Sequence, residues 1–192
     1  MDNMLEIRWH GRGGQGAKTA SILLAKIAAA TGRYIQAFPE YGPERMGAPV
    51  LAYTRINDKV IHQHCQIESP EVVVVLDPTL VGTVDVTANI VKPGQLIINT
   101  EKDPEEIAEE MNFSDGLKVY TLDADKISEE EIGLIFPNTP MLGAFNKVTE
   151  IMEPDKFINQ AQAEFEKKFA TKPEVVEGNV NSVTRAHQEV LG

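Results

Sequence analysis

The chain has 192 residues, of which 42% are hydrophobic and 24% are charged, and its formal net charge is -11. This composition is typical of a globular protein with a substantial core, and the negative charge argues against general nucleic-acid binding, which needs a basic surface. No stretch approaches the ~18 apolar residues of a membrane span, and the N-terminus lacks a signal-peptide pattern. We therefore expect a cytoplasmic protein that does not contact membranes.

Cys65 is the single cysteine of the chain. One cysteine excludes an internal disulfide and suits a reducing compartment. It also excludes an iron–sulfur cluster held by four cysteines of this chain.

A glycine-rich turn stands near the start of the chain. Leu5–Trp9 alternates as a β-strand, and Lys18–Thr31 is apolar around most of its circumference, as in a helix packed on a sheet. Between them, Gly11, Gly13 and Gly16 supply the spacing G-x-G-x-x-G. This context predicts a strand–loop–helix unit.

Such a turn favours anions, because the first N–H groups of the helix are unpaired and carry the positive end of its dipole. Arg12 and Lys18 could add positive charge, Gln15 could add a directional donor, and Gly14 completes the loop. The same spacing also occurs in turns that bind nothing. Both interpretations stay open.

The following strand, Tyr34–Phe38, leads into a loop of residues 39–49 that contains three prolines. Glu40 stands near the position where dinucleotide-binding folds hold a ribose with an acid, but Pro39 interrupts the pattern. The loop is either a structured crossover or a ligand-lining or docking loop that presents Tyr41, Glu44 and Arg45. We favour the second, because open α/β sheets bind ligands at the carboxyl ends of their strands.

The rest of the chain predicts one α/β domain, residues 1–192, in which residues 1–135 form the sheet and residues 136–192 form C-terminal helices. We expect a Rossmann-like, mostly parallel sheet flanked by helices, with an antiparallel hairpin of Val50–Ile56 and Val60–His64. His62 and His64 lack a supporting third ligand, so we assign no metal site. Further strands are predicted at 71–77, 95–100 and 118–123, and helices at 103 onward, 125–132, 141–152, 155–169 and 174–191.

Polar residues close the three predicted parallel strands. Asp77, Thr100 and Asp123 would lie at carboxyl strand tips. They are either groups at the rim of a pocket or caps for the segments that follow.

Three segments together resemble a known family. Ile7–Gly16 and Gln36–Pro49 resemble the gamma subunits of 2-oxoacid:ferredoxin oxidoreductases, above all those of pyruvate:ferredoxin oxidoreductase (pyruvate synthase), and Asn138–Phe145 is similar to a third motif of that family. The resemblance implies an enzyme that cleaves a 2-oxoacid on thiamine diphosphate with Mg, passes electrons through iron–sulfur clusters to ferredoxin and gives the acyl group to coenzyme A.

The resemblance also implies a division of labour. This chain lacks the Gly-Asp-Gly motif that holds thiamine diphosphate, so that cofactor and the clusters belong to the alpha, beta and delta partners. Gly11–Gly16 would face coenzyme A or a subunit junction, and Tyr41–Arg45 would border the active-site entrance. No nucleophile–base pair is apparent, so we assign no catalytic residue. Two alternatives are a purely structural docking subunit and a stand-alone NAD-dependent oxidoreductase.

Overall fold

The computed structural model describes residues 4–40, 46–113 and 116–192. Its strands are β1 Leu5–Arg12, β2 Tyr34–Pro39, β3 Pro49–Asn57, β4 Val72–Val75, β5 Gly94–Asn99 and β6 Leu117–Leu122. Its helices are α1 Ala17–Ala29, α2 Pro104–Met111, α3 Ala124–Ile132, α4 Pro140–Thr149, α5 Pro154–Lys168 and α6 Pro173–Glu189. A short 3₁₀ helix spans Pro78–Leu80.

The six strands form one mixed sheet in the order β2-β3-β1-β4-β5-β6. Strands β1, β4, β5 and β6 pair in parallel, and β3 runs antiparallel to both of its neighbours, β1 and β2. The predicted mostly parallel sheet flanked by helices is confirmed. Among the residues that the structure describes, no helix is long and apolar enough to cross a bilayer.

The two faces of the sheet are covered differently. On one face, Ile7 and Trp9 of β1 pack in a large apolar core, to which α1, α4, α5 and α6 contribute. The single tryptophan, Trp9, is fully buried there; its indole N–H donates to Thr54 Oγ1 at 3.1 Å, and its ring centroid lies 6.0 Å from that of Phe145. On the other face, a smaller core around β4 and β5 is covered by α2 and the connection that follows β4.

The predicted hairpin is correct in its first strand and wrong in its second. Residues 60–64 form no strand. Both edges of β3 are already occupied, by β1 and by β2, so no edge remains for a third partner. Side chains bond to backbone carbonyls in and just after this segment: Gln36 donates to Gln63 O at 3.0 Å, and Arg55 donates to Cys65 O at 2.9 Å.

The polar residues at the carboxyl strand tips act as caps. Asp77 Oδ1 accepts from Thr79 N–H at 2.9 Å, Asp123 Oδ1 accepts from Lys126 N–H at 3.0 Å, and Thr100 Oγ1 accepts from Lys102 N–H at 3.3 Å. These bonds satisfy backbone donors at the starts of the following turns and helices. All three residues therefore act as caps, and Asp77 in addition bonds to Gln15 and lies beside Arg12.

Asn99, at the end of β5, joins these tips into one network. Its amide group donates to Leu76 O at 2.9 Å and to Asp125 Oδ1 at 3.0 Å, while its oxygen accepts from Ala124 N–H at 2.9 Å. Burial raises the pKa of Asp125, and the negative charges of Asp123 and Asp77 raise it further. The hydrogen bond from Asn99 lowers this pKa, but it does not outweigh the other effects.

Helices α4 and α6 approach closely at Gly143. A Cβ atom at this residue would lie 2.1 Å from Val183 O and 3.0 Å from Ala186 Cβ. Because the nearest atom is backbone, a side chain here would have to displace α6 as a whole.

We predict that Gly143→Ala lowers the free energy of unfolding by about 3 kcal/mol, because overpacking forces the backbone apart. Gly32→Ala is the control: Gly32 has φ 80 with nothing within 4 Å of an added Cβ, so it should lose only about 1 kcal/mol to backbone strain. Urea unfolding of both variants measures the difference. Equal losses would contradict the close α4–α6 packing.

We predict that Asp125→Asn raises the free energy of unfolding, relative to the parent, more at pH 7 than at pH 3.5. The raised pKa means that ionised Asp125 destabilises the fold; this penalty is present above the folded pKa and absent below the unfolded value of 3.8. Chemical denaturation at both pH values measures the difference.

The control for this comparison is Asp155→Asn, which removes an exposed carboxylate from the same position in the first turn of α5. It makes the same change of charge outside the Asn99 network, and so separates the loss of a carboxylate at this helix position from the loss of the Asp125 contacts. An Asp125→Asn effect that does not depend on pH would show that Asp125 ionises freely in the folded protein.

Candidate functional site: the glycine-loop cleft

The candidate site lies where β1 passes into α1. Gly14 with φ 101 and Gly16 with φ 83 adopt the left-handed backbone that residues with a Cβ avoid. Gly16 is the N-cap of α1 and offers no side chain to it, and the first intrahelical bond runs from Ala20 N–H to Gly16 O. The N–H groups of Ala17, Lys18 and Thr19 therefore have no partner in the helix.

Gly16 also packs closely against the third sequence motif. A Cβ on Gly16 would lie 3.0 Å from Cγ of Asn138, a buried residue just before α4. Thr139, the N-cap of α4, donates to Asn179 Oδ1 of α6 at 3.0 Å and so fixes the start of α4. The glycine loop and Asn138–Phe145, far apart in sequence, therefore form one structural unit.

Arg12 and Gln15 hold the loop in place. Gln15 accepts from Arg12 N–H at 2.7 Å and donates to Asp77 Oδ2 at 2.6 Å. Arg12 lies 3.3 Å from the same carboxylate oxygen and donates to Thr79 Oγ1 at 2.8 Å and to Gly47 O at 3.1 Å. The side chains predicted to contact an anion thus anchor the loop to the end of β4.

Asp77 is the centre of this anchor. Burial alone would raise the pKa of its carboxyl group, but the hydrogen bonds from Thr79 and Gln15 and the charge of Arg12 outweigh burial and hold the pKa below its ordinary value. Asp77 is therefore ionised at neutral pH, which keeps its hydrogen bonds to Gln15 and Thr79 charge-assisted.

A cleft of about 410 Å³ opens over the glycine loop. Residues of the loop and of the first turn of α1 line the cleft, together with Met46, which precedes β3, and Val50 of β3. Met46 is 94% exposed. Lys18 is exposed and makes no ion pair among the described residues. Free N–H groups and a lysine at the mouth of such a cleft suit a phosphate-bearing ligand.

Two polar residues of β1, Arg8 and His10, were missed by the sequence analysis. Both are buried; Arg8 Nε–H donates to His10 Nε2 at 3.1 Å, and its Nη2 donates to Val86 O and Ala88 O. Burial, helped by the charge of Arg8, lowers the pKa of His10 to about 3. The imidazole is therefore neutral, and since its Nε2 accepts, its proton lies on Nδ1.

The sequence pattern of β1 does not indicate that this pair is buried. Apolar residues occupy only its odd positions, which predicts that the even positions, including Arg8 and His10, face solvent. In the structure, Arg8 fixes the connection after β4 to the sheet, and His10 stands one residue before Gly11. The residues predicted in the proline-rich loop, Tyr41, Glu44 and Arg45, lie outside the described residues.

Comparison with known proteins places this fold in a family. The family model described as pyruvate ferredoxin/flavodoxin oxidoreductase matches residues 6–189. The pyruvate/ketoisovalerate oxidoreductases common subunit gamma of Thermococcus litoralis is 52% identical over 150 residues, covering 78% of this chain and 80% of that protein.

Solved structures give the same result. The crystal structure of pyruvate oxidoreductase subunit PORC from Thermotoga maritima superposes with a TM-score of 0.84 at 41% identity, and the match covers 97% of each chain. The 2-oxoglutarate:ferredoxin oxidoreductase from Magnetococcus marinus, solved with 2-oxoglutarate, coenzyme A and succinyl-CoA bound, shares the fold at 19% identity and a TM-score of 0.75. The match covers 96% of this chain but 30% of that longer one. On the family model and the close relatives together, this chain belongs to the pyruvate ferredoxin/flavodoxin oxidoreductase family.

Proposed function

We propose that this chain is the gamma subunit of a heteromeric pyruvate:ferredoxin oxidoreductase. The complex would decarboxylate pyruvate oxidatively and reversibly, give the acetyl group to coenzyme A and pass two electrons to ferredoxin. The observation that carries the proposal is the match over 97% of both chains with the pyruvate oxidoreductase subunit of Thermotoga maritima. The same proposal assigns as partners the alpha, beta and delta subunits and ferredoxin. It places the complex in the cytoplasm.

The chain would not act alone. It has one cysteine, and its described residues contain no group of three or more His, Cys, Asp or Glu placed to hold a metal ion. Thiamine diphosphate with its Mg and the iron–sulfur clusters therefore belong to partner subunits in this proposal. We further propose that residues 1–192 act as one domain, since α4, α5 and α6 share a core with β1 and α1.

We propose that the glycine loop, Gly11, Arg12, Gly13, Gly14, Gln15 and Gly16, together with Tyr41, Glu44 and Arg45, forms the coenzyme A side of the active site. The support is geometric: Gly16 leaves the first turn of α1 uncapped, and the cleft above it is bordered by Lys18. These groups would position phosphates electrostatically, and no bond of the substrate would be broken by them. Arg12 and Gln15 would serve by holding the loop rigid.

The sheet order argues against the NAD-dependent alternative. Dinucleotide-binding folds place the second strand beside the first, so that an acid at its tip reaches the ribose. Here β3 lies between β1 and β2, which separates them by roughly 10 Å. Glu40, at the tip of β2, is already engaged: its carboxylate accepts from Gln66 at 2.9 Å and from the Tyr53 hydroxyl at 3.4 Å.

We predict that Lys18→Glu in the assembled enzyme raises the KM for coenzyme A about tenfold, equivalent to about 1.4 kcal/mol, with little change in kcat. The replacement turns an attraction for phosphate into a repulsion. It should not destabilise the fold, because an acidic residue in the first turn favours the helix dipole. Steady-state kinetics at varied coenzyme A, with thermal unfolding in parallel, makes the measurement.

Lys126→Glu is the matched control, since Lys126 is an exposed lysine in the first turn of α3. It makes the same change of charge away from the cleft and should alter the KM less than twofold. If Lys18→Glu weakened subunit association while the KM for coenzyme A stayed unchanged, the structural docking alternative would replace this proposal.

We predict that the isolated chain binds no NAD at 1 mM, because Glu40, the acid at the tip of β2, is separated from the glycine loop by β3. Isothermal titration calorimetry of the free chain measures this. Saturable binding with a Kd below 1 mM would support the stand-alone NAD-dependent enzyme instead.

A further inference from the structure

Three consecutive large apolar side chains are exposed between α3 and α4. Leu134 is 58% exposed, Ile135 59% and Phe136 43%. The other large exposed apolar residues in the described ranges stand singly in the sequence. Scattered exposed apolar residues are ordinary on protein surfaces, whereas contiguous exposed apolar surface is typical of interaction sites. We call residues 134–136 the apolar ridge.

The apolar ridge is held firmly in its exposed position. Gly133 ends α3 with φ 76, and its N–H donates to Glu129 O at 3.0 Å. Phe136 N–H donates at 3.0 Å to Oγ of Ser128, which is fully buried. Residues 137–140, which follow directly, are buried. The side chains are therefore presented by an ordered connection and not by a loose one.

The border of the apolar ridge is acidic. Glu129 and Glu130 are exposed in the last turns of α3, and Glu131 is half-buried beside them. Arg185 of α6 bonds to Glu130 and Glu131 and also to Glu189, so one guanidinium faces three carboxylates. The local charge is negative, in line with the chain as a whole.

The position of the apolar ridge connects it to the glycine loop. Phe136 precedes Asn138 by two residues, so their Cα atoms lie within about 7 Å of each other. Asn138 in turn packs on Gly16 at the start of α1. A partner seated on the ridge would therefore lie close to the cleft.

We propose that the apolar ridge docks into another subunit of the same oxidoreductase, in an apolar recess bordered by lysine or arginine side chains. The family relatives are subunits of larger enzymes by name, and the fold forms 30% of a longer chain in the Magnetococcus marinus enzyme. A second copy of this chain fits poorly, because its own acidic border would face the same charge. The inference rests on family membership and not on the coenzyme A assignment.

The test reconstitutes the enzyme from its separately purified subunits and measures the affinity of this chain for the others. Ile135→Asp places a charge in the centre of the ridge and should weaken association at least tenfold, whereas Ile135→Leu should retain it. Val60→Asp is the matched control, since Val60 is 51% exposed elsewhere on the surface and should change affinity less than twofold. Far-UV circular dichroism of the free variants confirms that each is folded.

The charge of the partner is tested with Glu129→Lys, whose exposed side chain makes no ion pair among the described residues. It should weaken association and reduce its dependence on salt. Equal affinities of Ile135→Asp and Val60→Asp would overturn the docking proposal. So would a parent chain that is dimeric when free and that Ile135→Asp makes monomeric, because the occupant would then be a second copy.

Discussion

The ionised carboxylate of Asp77 is the constraint on which the candidate site depends. It accepts hydrogen bonds from the Gln15 side chain in the loop and from Thr79 N–H in its own turn, and the Arg12 guanidinium lies beside it. Because Asp77 follows β4 and the loop follows β1, these bonds join two neighbouring parallel strands at their carboxyl ends. The loop is thereby held by bonds within the protein, and the first turn of α1, whose N–H groups have no partner in the helix, starts from this fixed position.

A second constraint is steric and comes from glycine. Gly16 lets Asn138 approach the start of α1, and Gly143, five residues later, lets α6 approach α4. The motif Asn138–Phe145 thus carries two close contacts, one to the start of α1 and one to α6. A stretch with little apparent chemistry therefore packs against the start of α1, directly after the glycine loop.

Much of the fold could be predicted from residues, and the exceptions have physical causes. The apolar run Val72–Val75 and the Asp103–Pro104 helix start depend on local pattern, and the structure has both. The sequence around Asn57 suggested a hairpin, but in the structure both edges of β3 pair with strands from other parts of the chain, β1 and β2, and no local pattern indicates this. The spacing of Gly11, Gly13 and Gly16 was recognisable from the sequence. The anchoring of Arg12 by Asp77, in contrast, links residues 65 positions apart, and no local pattern indicates it.

The buried position of Trp9 has a practical consequence. It is the single tryptophan of the chain, lies two residues before Gly11 and faces Phe145 of α4. Its fluorescence is therefore an intrinsic optical reporter for the junction of β1, the glycine loop and α4. A shift of its emission to longer wavelength would record water entering this junction, with no label attached to the protein.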